Sequence, residues 1–143
     1  MSASRRELGA AASRGKETGS CVFCQRLEAE RPTAENDLAV ALPDTFPISM
    51  GHTLIIPRRH ESNFFALSQA EQRAIYDLVL VVRPVLELEH GPDGYNLGLN
   101  VGTAAGQTVP HAHLHVIPRY EGDVADPRGG VRWILPARAA YWK

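Results

Sequence analysis

Net charge is almost absent from this chain: 15 Lys and Arg stand against 16 Asp and Glu, a formal balance of −1. That leaves no global basic field to draw in a nucleic-acid backbone. Long apolar runs are missing too. None approaches the roughly 20 residues of a membrane-spanning helix. The first residues, Met1 to Ala12, lack the apolar stretch of a secretory leader. We therefore expect a cytoplasmic protein with neither membrane nor nucleic acid as partner. Cysteine is scarce. The two present, Cys21 and Cys24, form a Cys-x-x-Cys. In a cytosolic chain that spacing suggests metal or redox chemistry rather than a structural disulfide. No internal repeat is visible.

The remainder is ordinary in bulk: 143 residues, 44% hydrophobic and 22% charged, enough for one domain with a real core. Residues 1–18 are rich in Ser, Gly, Ala and Arg without periodicity, and are expected to form a disordered tail. Residues 19–143 then make one domain, irregular from Glu121 onward. A short helix is expected to follow Cys21, through Gln25 to Glu30, stopping near Pro32. Leu38 to Leu42 and Thr53 to Ile56 read as strands bounded by Pro43-Asp44, Gly51 and Pro57. Ser68 with Glu71 three residues on is a capping box opening a long helix. Its stripe is Ala74, Ile75, Leu78, Val82, Val85 and Leu86, and it ends near His90-Gly91-Pro92, with Pro84 a candidate kink. Leu80 falls among charged positions, a hint of a second contact surface. Tyr95 to Val101 alternates as a third strand, with Tyr95, Leu97, Leu99 and Val101 on one face. The expected class is α+β: an antiparallel sheet with the long helix packed on one face.

His111, His113 and His115 stand at every second position of Gly106 to Pro118. Alternation with apolar residues reads as a strand, in which all three imidazoles share a face and Ala112, Leu114 and Val116 share the other. Three uses compete on spacing alone: a tri-histidine metal site, a histidine nucleophile positioned by its neighbours, and a hydrogen-bonded structural cluster. The flank Gly102 to Gly106, followed by Gln107 and Thr108, can offer backbone amides and a hydroxyl to an anion, and Asn100 adds an uncharged donor.

From Gly106 to Arg119 the chain resembles the signature of the histidine triad (HIT) superfamily of nucleotide hydrolases and transferases. That signature is His-x-His-x-His followed by two apolar residues, here Val116 and Ile117. Leu38 to His60, with Pro43-Asp44 and Gly51 to Pro57, also matches the family pattern. The resemblance covers residues 21 to 119.

The resemblance implies a role for each position. His113 would be the nucleophile on the α-phosphorus of a nucleotide, forming a nucleotidyl-histidine that water then hydrolyses. His115 would support it, partnered by His52. Gln107, also counted with the catalytic residues, and Thr108 would touch phosphate and leaving-group oxygens, and Asn100 another phosphate oxygen. Asp44 would bind ribose hydroxyls, with Phe23 and Phe46 flanking the base. Some relatives bind a structural zinc with a Cys-x-x-Cys, a downstream His and the first triad His. Here those are Cys21, Cys24, His60 and His111. The family also implies a homodimer through the long helix and a neighbouring strand, with Trp133 or Trp142 reaching the partner's pocket. The chain continues through Arg119 to Asp123 instead of ending in a short Trp-Pro tail. That favours dinucleoside polyphosphates as substrates over nucleoside phosphoramidates. Phosphorolysis shares the same first step, and a non-catalytic nucleotide-binding protein is the reading from another class. DNA-adenylate repair is disfavoured by the missing basic patch.

Overall fold

The structure is a computed structural model that describes residues 19–142. The tail expected over residues 1–18 lies outside the described residues. Five antiparallel strands form one sheet: β1 (Ala34–Glu35), β2 (Ala39–Pro43), β3 (Thr53–Pro57), β4 (Gly94–Leu99) and β5 (Leu114–Arg119). Their order is β1-β2-β3-β5-β4, so the last strand in sequence is inserted between β3 and β4. The α+β class follows from this sheet and the helices packed on it. No helix among the described residues is long and apolar enough to cross a membrane.

Helix α1 (Val22–Ala29) directly follows Cys21, as the sequence suggests. Cys21 caps it, its sulfur accepting from the Cys24 amide at 3.5 Å. Helix α2 (Gln69–His90) is bounded by its expected signals. The capping box of Ser68 and Glu71 is complete, and Gly91 ends the helix at φ 57°, a left-handed conformation that glycine adopts without steric cost. Pro84 lies inside the helix. Ile75, Leu78, Val82 and Leu86 are buried against the sheet, each contributing about 1.5–3 kcal/mol. Leu80 is 72% exposed. A short helix α3 (Pro136–Ala139) and a 3-10 turn (Gly130–Ile134) give the C-terminal stretch more order than expected.

The sheet face away from α2 is less polar than the sequence implies. Val40, Leu42, Leu54 and Ile56 form a second core there with Cys21 and Phe23 of the α1 region. Only the β5 end of that face is given to imidazoles. The strand itself also begins later than expected, at Leu114. Pro110 has no amide to donate, and the His111 amide turns back to the Val109 carbonyl at 2.9 Å. His111 and His113 therefore sit on a bent approach to β5. The alternation survives the bend. Ala112, Leu114 and Val116 join the α2 core, and the rings of His111 and His113 pack on Phe23.

Leu97 departs from its expected burial, at 44% exposed. It pairs with Val116 on the edge strand β4, whose other side has no strand partner among the described residues. Helix α2 packs on β1, β2, β3 and β5 and does not extend its main cover to β4.

Candidate active site

His113 is buried, its ring edge-on to Phe23 with centroids 5.0 Å apart. Its Nδ1 lies 2.8 Å from the carbonyl oxygen of His111. A carbonyl only accepts, so Nδ1 carries a proton, and in the neutral ring Nε2 keeps a free lone pair. That is the state a nitrogen nucleophile needs.

His115 pairs across the sheet with Leu54 on β3 and Gly98 on β4. Its ring stands beside that of His113, centroids 5.1 Å apart. Its Nδ1 is 2.9 Å from Nε2 of His52, which ends the turn leading into β3. Asp44, just after β2, brings Oδ2 to 3.3 Å from the same His52 nitrogen, while its Oδ1 accepts from the Phe46 amide at 2.8 Å. Burial pushes His52 below its ordinary value, with Asp44 opposing. Burial, then His113 and His52, pushes His115 down to about 4. Both shifts favour the neutral ring at pH 7.

On the other side of His113, Cys21, Cys24, His60 and His111 converge. Nδ1 of His111 lies 3.5 Å from Cys21 Sγ and 3.6 Å from Cys24 Sγ, and Nδ1 of His60 lies 3.3 Å from Cys24 Sγ. A zinc ion with ordinary Zn–S and Zn–N bonds spaces tetrahedral S and N ligands about 3.6 Å apart. Those three separations match that spacing, and all four ligand atoms lie within 4.8 Å of one another, so the donor set fits the ion. His111 also has the right outer partner. Its Nε2 donates to the Pro57 carbonyl at 2.8 Å, leaving Nδ1 bare toward the sulfurs. Without a cation, burial, then the bond to Cys21 and its charge, push the Cys24 thiol up to about 11. A divalent ion reverses that preference.

The remaining predicted residues are placed less simply. Gln107 spends its amide on the backbone: Nε2 donates to Ser62 O at 2.9 Å and Val109 O at 3.1 Å, and Oε1 accepts from Gly102 N at 2.9 Å. It staples the Gly102–Val109 loop rather than standing free for a phosphate. Thr108 is exposed on that loop, and Asn100 is half-buried just past β4. Phe46 is 84% exposed, so of the two expected base-flanking aromatics only Phe23 is enclosed, and it props the imidazoles. Trp133 donates to the Arg128 carbonyl at 2.8 Å, and the Arg128 guanidinium lies 4.7 Å from the Trp142 ring, so both indoles are engaged within their own chain. Sequence reasoning misses the carbonyls of Pro57 and His111. In the sequence Pro57 stands out only as the end of a strand.

The HIT domain family model matches residues 28–122. This chain belongs to the HIT family. Among HIT relatives, the adenylylsulfatase HINT3 of Arabidopsis thaliana is 37% identical over 106 residues, covering 72% of this chain and 54% of that protein. The adenosine 5'-monophosphoramidase hnt1 of Schizosaccharomyces pombe is 37% identical over 103 residues, covering 70% of this chain and 74% of that one. A crystal structure of a zinc-bound histidine triad family protein from Mycobacterium smegmatis superposes with a TM-score of 0.68 at 31% identity, covering 76% of this chain and 81% of that chain. The family is one of nucleotide hydrolases and transferases, and the HIT segment carries every histidine of both clusters described above.

Proposed function

We propose that this HIT protein hydrolyses a nucleotide at its α-phosphorus and releases a nucleoside monophosphate. The observation that carries the reading is the bare Nε2 of His113, held by the His111 carbonyl beside a neutral His115. The His113 lone pair forms the P–N bond. The bond from phosphorus to the leaving group breaks, and its electron pair departs with that group. Water then attacks the same phosphorus, the P–N bond breaks with its electron pair returning to Nε2, and the proton that water sheds passes to solvent, which protonates the departed group. His115 donates a hydrogen bond to the charge that builds on phosphate oxygen. Amides and hydroxyl of the loop shaped by Gln107, including Thr108, hold the phosphates with Asn100. Asp44 accepts from ribose hydroxyls.

Dinucleoside polyphosphates are the proposed substrates, because the chain continues past Arg119 into an ordered segment rather than a short tail. The phosphoramidase and adenylylsulfatase names of two relatives support a second reading, in which the leaving group is an amine or sulfate. One panel decides: diadenosine tri- and tetraphosphate, AMP phosphoramidate and adenylyl sulfate, each with product identification in water and in added phosphate. Preferred turnover of the last two would displace the first choice. Turnover of none, despite tight AMP binding, would leave a binding protein.

Zinc on Cys21, Cys24, His60 and His111 would be structural, since four protein ligands close the site. It would tie α1 to the approach of β5. A homodimer is supported by the open edge of β4 with its exposed Leu97, and by exposed Tyr76, Leu80 and Leu88 on α2. The cytoplasm suits two thiols kept reduced for a metal.

A further inference from the structure

We propose that the backbone N–H of Ile48, on the loop between β2 and β3, fixes the proton of His115 from two rings away. That amide lies 3.2 Å from Nδ1 of His52. An amide nitrogen only donates, so Nδ1 of His52 is bare, and a neutral ring then carries its one proton on Nε2. Asp44 Oδ2 stands 3.3 Å from that Nε2 and 3.9 Å from Nδ1 of His115, so the carboxylate favours a proton between the two rings and the Ile48 amide decides which nitrogen holds it. The Nε2 proton is donated across 2.9 Å to Nδ1 of His115. His115 must therefore accept at Nδ1 and carry its own proton on Nε2. His113 is set the opposite way by a carbonyl. Adjacent rings thus present one lone pair and one N–H, and each setting traces to a single backbone group.

The same amide excludes another use of these residues. Asp44, His52 and His115 stand close enough to hold a cation. A cation on Nε2 of His52 would drive that ring's proton to Nδ1, against the Ile48 N–H. The amide behind His52 is the reverse of the Pro57 carbonyl behind His111. Two further hydrogen bonds hold the loop in place. The Tyr120 hydroxyl donates to the Met50 carbonyl at 2.8 Å, and the His52 amide donates to Ser49 O at 3.2 Å. Ile48 is a positioning residue, acting through its main chain while its side chain is exposed.

The value of the His115 proton rests on the proposed hydrolysis, but its location is measurable without substrate. Long-range proton–nitrogen NMR of the full-length, metal-loaded protein at pH 7 should show His52 and His115 protonated at Nε2 and His113 at Nδ1. A wild-type His52 protonated at Nδ1 overturns the proposal. Replacing the Ile48 amide by an ester, through the corresponding hydroxy acid, puts an oxygen in place of the donor and leaves every side chain unchanged. It should move a measurable share of His52 and His115 to the opposite tautomer. It should also lower kcat about 10-fold or more, with KM changing less than about threefold. Unchanged tautomers in the ester protein, or altered tautomers with unchanged kcat, overturn it. A wild type that shows the stated tautomers and turns over no nucleotide refutes the hydrolase reading and leaves the proton assignment standing.

Discussion

Cys21, Cys24, His60 and His111 lie on one side of His113, and Asp44, His52 and His115 lie on the other. Both groups bring imidazole nitrogens within about 3–4 Å of other ligand atoms, and both read as metal-binding by residue type alone. What separates them stands behind the rings. A carbonyl backs His111 and leaves a lone pair facing two sulfurs. An amide backs His52 and leaves a proton facing the next ring. In this site the side chain supplies the imidazole, and the main chain decides whether it gives or receives.

The comparison breaks most sharply at His113. His113→Asn should cut turnover about 10³-fold or more while leaving zinc content and circular dichroism unchanged. Activity near wild type would remove the nucleophile. His111→Asn or Cys24→Ser should do the reverse. Elemental analysis should find one equivalent of zinc in the wild type and none in either variant, and Tm should fall by about 10 °C or more, with activity falling as a consequence. Wild-type protein purified without chelator and free of zinc would end the metal reading.

The relay side has its own signature in pH. Burial holds His115 at about 4, whereas an unfolded histidine takes its proton near 6.5. Between those values the unfolded chain binds more protons, so stability rises with pH. Its share is full above about 6.5 and is lost as pH falls to about 4, amounting to about 3 kcal/mol. Urea midpoints measured across that window should show the slope, and His115→Asn should flatten it. An equal slope in the variant would assign the effect elsewhere. The smallest effect concerns Gln107. Gln107→Ala removes the side-chain partner of the Gly102 amide and the Ser62 carbonyl, and one of two donors to the Val109 carbonyl, and should cost about 1–2 kcal/mol of stability. If stability holds and KM for nucleotide rises alone, Gln107 is a direct phosphate contact after all.

Much of the scaffold is legible in the sequence because its signals are local. Ser68, Glu71 and Gly91 mark α2 by capping chemistry that needs no tertiary context. Period-2 alternation sorts Ala112, Leu114 and Val116 from the imidazoles, though it overruns the start of β5, where Pro110 is the mark of a bend. Leu97 fits the same alternation and is still exposed, because strand order, which no local pattern encodes, puts it at an edge. The residue types of both clusters come from spacing and family resemblance. Their proton settings do not. Every residue but proline carries an amide and every residue a carbonyl, so nothing in the letters Ile48 or Pro57 announces which backbone group will meet a ring.

The insertion of β5 between β3 and β4 has a consequence for how the molecule comes into being. Synthesis delivers both flanking strands before the one that joins them. Until then each has an open edge facing the gap, a template for pairing with another chain. Closing it takes contacts distant in sequence, which form slowly. Over the same interval Cys21, Cys24 and His60 are already made and wait for a fourth member that arrives only with His111. A nascent chain stalled before residue 111 would hold three of the four proposed zinc ligands and lack the proposed nucleophile, so on this reading closure of the sheet also completes the site.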